Sequence, residues 1–90
     1  MPPIVLTLLS KPGCHLCDDA RTVVAEVVAA AGDKVRAPIT VDEVSILDDP
    51  DLLEKYSEEI PVLLINGRVH NIWRIEPARL RAALLEEDPC

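Results

Sequence analysis

Apolar and polar positions alternate in blocks along this chain, and the period within each block points to one kind of element. Ile4 to Leu9 is nearly all apolar, as expected of a central strand buried on both faces. Pro2-Pro3 enters it extended, because proline brings no amide hydrogen to a ladder. Ser10 to Gly13 breaks the run, with Pro12-Gly13 as a turn signal. From His15 onward, Cys17, Ala20, Val24, Val27, Val28 and Ala31 recur at three- and four-residue spacing, which traces one face of a helix. The valines of that stretch lose rotamer freedom in a helix, so a strand through Thr22–Val28 competes. The length of the periodic run, the flanking alanines and Gly32 as a stop favour a helix over His15–Ala31.

Asp33 to Pro38 reads as a polar connection. Val41 to Ile46 reads as a second strand, with Val44 and Ile46 on one face and Glu43 and Ser45 on the other. Asp48-Asp49-Pro50 starts a short helix, with an aspartate as N-cap and proline at the first helical position. That helix carries Leu52, Leu53 and Tyr56 on one side and ends before Ile60-Pro61. Pro61 to Ile65 is a third strand. Asn66-Gly67 is a strong hairpin signal, with Arg68 to Trp73 as the returning strand. Pro77 opens a last helix with Leu80, Ala83 and Leu84 inward. Glu86-Glu87-Asp88 puts negative charge at the negative end of its dipole, so residues 86–90 are expected to fray into a tail.

The order is therefore β-α-β-α-β-β-α, an α/β chain. A right-handed crossover makes the first two strands parallel neighbours, and the hairpin makes the last two antiparallel, within a four-stranded mixed sheet. Ninety residues form one small domain. Apolar residues make up 49% of it, nearly all aliphatic, a dense core for so short a chain. The net charge of −7 offers no basic surface for nucleic acid and no polybasic segment for an anionic membrane. No basic n-region or long apolar stretch opens the chain, so a cytoplasmic location in a reducing compartment is expected. A monomer is expected.

In such a compartment, Cys14-His15-Leu16-Cys17 at a strand–helix junction is a redox signature. Disulfide exchange needs one accessible thiolate and a second thiol close enough to release the mixed disulfide. Cys14 falls at a helix N-terminus, where unpaired amides and the positive dipole end favour thiolate. Cys17 falls almost one turn further on. Lys11 and a protonated His15 add positive potential there, which makes His15 either a pH-sensitive tuner or simply an exposed helix-start residue; Asp18 and Asp19 oppose them. The other reading makes the pair metal ligands, yet a structural zinc site wants four ligands and the chain adds only His15, His70 and Cys90, with no second close pair. His70 is expected to face solvent, Tyr56 to pack, and Trp73 to cap the edge of the core, although its amphipathic ring also suits stacking on a ligand. Arg74, just before the last helix, is either a surface charge or a grip for a substrate carboxylate. Cys90 is expected to dangle in the tail.

The element order, Leu9-Ser10-Lys11-Pro12-Gly13-Cys14-His15-Leu16-Cys17, and Ile60-Pro61 before the third strand together resemble the thioredoxin fold and, within that superfamily, the small bacterial glutaredoxin-like proteins. The likeness covers about residues 4–86. It implies that Cys14 attacks and Cys17 resolves, and that a cis peptide before Pro61 faces the cysteines, with the Ile60 and Pro61 backbone aligning the substrate. It implies a thiol–disulfide oxidoreductase that reduces a disulfide-containing protein or small thiol substrate. No bound cofactor is needed, and electrons come from glutathione or a reductase. The alternative is a non-catalytic thioredoxin-fold binding module, or a metal- or cluster-handling partner. The chain departs from typical glutaredoxins in having histidine after Cys14 and no glycine pair in Asn71–Pro77, the stretch that helps hold glutathione.

Overall fold

The structure, a computed structural model, describes residues 2–87; Asp88 and Cys90 lie outside the described residues. Its elements follow the expected order: β1 (Ile4–Ser10), α1 (His15–Ala31), β2 (Ile39–Ser45), a single 3-10 turn (Ile46–Asp48), α2 (Pro50–Tyr56), β3 (Val62–Ile65), β4 (Arg68–Ile72) and α3 (Pro77–Glu87). The strands form one sheet in the order β2-β1-β3-β4. β2 runs parallel to β1, with Ile4 opposite Ile39 and Ser10 opposite Ser45. β3 runs antiparallel to β1, with Leu9 opposite Val62, and β4 returns antiparallel to β3. One end of the sheet thus collects the close of β1, the start of β3 and the close of β4. That register brings the cysteine loop, Pro61 and Trp73 to the same end.

Two clusters make the core, and their sizes follow from helix length. The larger holds Ile4, Leu6 and Leu8 of β1, Leu63 and Ile65 of β3, the inner face of α1 and Leu80 and Leu84 of α3. The smaller, on the other face, holds Leu9, Cys17, Ile46, Tyr56, Ile60 and Val62, with Cys14 packed against it. α2 has only seven residues, so it covers that face near the cysteines and leaves Val5 and Thr7 half-buried. The expectation that β1 is buried on both faces therefore holds only for its last residues.

Local chemistry accounts for the element ends. Asp49 caps α2 by accepting the Asp51 N–H at 2.9 Å, and Pro50 fills the first position. Because α2 roofs the smaller cluster, Asp49→Ala is expected to lower stability by about 1 kcal/mol, read by urea unfolding. Leu53 is exposed rather than packed beside Leu52 and Tyr56. β2 starts two residues earlier than expected, and Ile46 leaves the strand for the 3-10 turn while staying buried. Asn66 and Gly67 both have positive φ, 50° and 84°, the primed geometry a two-residue hairpin wants. Gly32 does not stop α1 by a left-handed turn, since its φ is −55° and its N–H still bonds to the Val28 carbonyl. α3 runs through Glu87, whose carboxylate takes hydrogen bonds from Arg68 and Asn66, and the rest of the expected tail lies outside the described residues. Among the described residues no helix is long and apolar enough to cross a membrane.

Candidate active site

β1 delivers the chain to a turn in which Gly13 takes φ +75°, a conformation that suits glycine, and α1 begins at once. Cys14 is the N-cap of α1. Its Sγ accepts the Cys17 N–H at 3.1 Å, the place where serine or aspartate usually caps a helix. Its carbonyl takes the Asp18 N–H at 3.1 Å. The Cα atoms of Cys14 and Cys17 lie 5.2 Å apart, and the two are joined as a disulfide. Cys14 is half-buried, whereas Cys17 is wholly enclosed in the smaller cluster. When the pair is reduced, negative charge on Cys14 would meet a backbone N–H and the positive end of a seventeen-residue helix.

The Ile60–Pro61 peptide is cis. Both side chains are buried, Ile60 in the cluster that contains Cys17. The Pro61 carbonyl already accepts the Trp73 N–H at 2.8 Å.

The cations expected to bind substrate do not share one depression. Lys11 lines a polar cleft with Ser10, Pro12, Arg21, Glu43, Ser45 and Asp48. Arg74 lines a separate groove of about 280 Å³ with Leu16, Asp19, Ala20, Val23, Trp73 and Ile75. His15 is exposed on the first turn of α1.

Behind Lys11 lies a polar network that the sequence reading missed. The Glu43 carboxylate receives Arg21 at 2.6 and 2.7 Å and the Ser10 hydroxyl at 2.9 Å, while Arg21 also reaches Asp18 at 2.8 Å. Arg21 above all holds the Glu43 carboxyl below the ordinary carboxylate value; partial desolvation opposes it and the Ser10 hydroxyl assists. The Asp18–Arg21 part was legible from its i,i+3 spacing. Glu43 joins only through the parallel register that sets it beside Leu8.

Two expectations are corrected on β4 and just beyond it. His70 is half-buried rather than solvent-facing. It is the extra residue of a bulge, because Leu63 and Leu64 oppose Asn71 and Val69. Its Nε2 and the neighbouring Asn71 Oδ1 are buried without hydrogen-bond partners. Burial first, and then the charge of Arg79, push the imidazole below its ordinary 6.5. The folded protein thus binds this proton less readily than the unfolded chain. Stability should therefore fall as pH drops below 6.5 and level off once folded His70 is protonated too. His70→Gln should remove that part of the slope, read as the difference between wild-type and variant unfolding across pH. Trp73, the second correction, does not cap the core: it is 53% exposed. Tyr56 packs in the smaller cluster as expected, with the Lys55 ammonium 5.3 Å from its ring centroid.

Among the described residues no group of three or more His, Cys, Asp or Glu side chains comes together as a metal-binding set. A metal held by Cys14 and Cys17 would need ligands from outside them.

Comparison with known proteins agrees with this fold. The family described as a glutaredoxin-like domain matches residues 5–85. The uncharacterized protein Rv0508 of Mycobacterium tuberculosis is 32% identical over 75 residues, which is 83% of this chain and 76% of the relative. A crystal structure of protein XcR50 from X. campestris superposes with a TM-score of 0.68 at 35% identity, covering 88% of this chain and 93% of that one. Oxidized mitochondrial thioredoxin 3 of Saccharomyces cerevisiae superposes at 0.63 with 12% identity, over 96% and 80%, and thereby shows the thioredoxin fold alone.

Proposed function

This chain belongs to the glutaredoxin-like domain family, and from that premise we propose that it is a cytoplasmic thiol–disulfide oxidoreductase working through Cys14 and Cys17. The observation that carries this reading is the N-cap position of Cys14, whose Sγ receives the Cys17 N–H while Cys17 itself is enclosed.

The Cys14 thiolate attacks one sulfur of a substrate disulfide. A bond forms between Cys14 and that sulfur, and the other sulfur leaves as a thiolate that takes a proton. Cys17 then loses its proton and attacks Cys14 Sγ, releasing the second substrate thiol and forming the Cys14–Cys17 disulfide. Two electrons and two protons pass from the protein to the substrate. The dithiol is itself the redox centre, so no further cofactor enters. Glutathione or a reductase restores it.

Pro61, with the backbone of Ile60, aligns an extended substrate beside Cys14; the Pro61 carbonyl also accepts the Trp73 N–H. Lys11 and Arg74 attract substrate from the two sides of the cysteine loop, and His15 tunes Cys14 when protonated. The protein acts as a monomer on a disulfide-containing protein or small thiol.

Titrating the pair in glutathione buffers tests the reading, in a Cys90→Ser background. A reversible two-electron transition between roughly −180 and −300 mV is expected. The absence of any titratable disulfide would leave the pair a ligand or binding element instead.

A further inference from the structure

Trp73 stands in a backbone conformation that a bulky residue rarely takes. Its φ is +65°, and the Arg74 N–H bonds back to the Ile72 carbonyl at 2.8 Å, closing a three-residue γ-turn about it. Its own N–H is held by the Pro61 carbonyl. Its indole Nε1 donates to the Glu58 carbonyl at 3.1 Å, so the ring is fastened from the loop that leads into β3. Yet the ring is 53% exposed. Core packing does not explain a large aromatic surface held open on a strained turn, and such outliers concentrate at ligand-contacting sites.

The opposite wall of the groove beside this ring is Leu16, 41% exposed although it sits between the two cysteines. Ala20, Val23 and Ile75 complete the apolar lining, and Asp19 and Arg74 are its charged residues. Through Leu16 the groove borders the stretch between the two cysteines, although neither cysteine lines it.

Resting on the oxidoreductase reading, we propose that Trp73 and Leu16 are specificity-determining residues. They select polypeptide disulfides in which a large apolar side chain adjoins the reacting cysteine. Glutathione offers the apolar lining no large side chain, because a γ-linked glutamate and a glycine flank its cysteine.

The test is a single-turnover comparison with the reduced protein, which supplies both electrons itself. Two disulfide-linked peptides are used, identical except for phenylalanine or glycine after the cysteine, with glutathione disulfide as a third substrate. The phenylalanine peptide should react faster than the glycine peptide by about 10- to 100-fold, the range one apolar side chain commands in a fitted pocket. Trp73→Gly removes the ring while suiting the positive φ, and Leu16→Ser alters the other wall; each should bring the ratio of the two peptide rates toward one. Equal rates for both peptides with the wild type, or an unchanged ratio in both variants, would overturn the groove proposal and leave the oxidoreductase reading standing. If no disulfide is reduced at all, that reading falls. The emission of Trp73, the single tryptophan of the chain, then decides the groove separately. A shift on titration with the phenylalanine peptide carrying serine for cysteine, and none with its glycine counterpart, supports it; no shift with either overturns it.

Discussion

Replacing Cys14 with serine is expected to abolish disulfide reduction, with turnover falling by at least ~10³-fold, about 4 kcal/mol in activation free energy. The size of the effect follows from chemistry rather than from packing. A serine at the same N-cap would still accept the Cys17 N–H, so α1 should start where it does now. What disappears is the thiolate, the only form of the residue that attacks a disulfide. Cys17→Ser should behave differently: Cys14 still makes the first attack, but nothing resolves the mixed disulfide. A covalent adduct of protein and one substrate half should then accumulate, visible by mass spectrometry. If Cys14→Ser retained activity while Cys17→Ser lost it without trapping an adduct, the two roles would have to be exchanged. That exchange is hard to reconcile with the exposure of the pair, because Cys17 is fully enclosed.

The elements that positioned this site were legible because each rests on local chemistry. A near-continuous aliphatic run, a glycine turn, a helical period from His15 to Ala31, an Asp-Pro helix start and an Asn-Gly hairpin each have one dominant physical reading. The helix prevailed over the competing strand at Thr22–Val28 because Val24 and Val27 are buried on one face together with Ala20 and Ala31. What stayed hidden depends on partners distant in sequence. Nothing local says that Trp73 takes a positive φ, since the turn is held by Pro61 and Glu58. The bulge at His70 comes from the pairing of β4 with β3. The charged end of α3 looked unstable by its dipole alone, and its anchoring depends on Arg68 and Asn66 of the hairpin. Cys14 and Cys17 needed no such partners, so the place of the pair at the strand–helix junction was readable while the walls of the groove were not.

Leu80→Ala is expected to produce the largest loss of stability, about 3 kcal/mol, within the range for removing an enclosed leucine side chain. Leu80 and Leu84 are wholly buried and join the larger cluster with Leu6, Leu63 and Ile75. α3 has no other fully enclosed side chain with which to dock. For a domain of this size that loss should lower the thermal midpoint by ~12–24 °C, read by far-UV circular dichroism. Leu85→Ala on the same helix is the control: Leu85 is 45% exposed, and its removal should change stability by no more than ~0.5 kcal/mol. Equal losses from the two variants would mean that α3 does not dock by the face described. The consequence reaches the site, because Ile75 belongs both to the cluster under α3 and to the lining of the groove beside Leu16. Loosening α3 therefore frees one wall of that groove without touching Cys14 or its helix cap. Just below its lowered midpoint, Leu80→Ala should lose discrimination between disulfide peptides before it loses disulfide reduction.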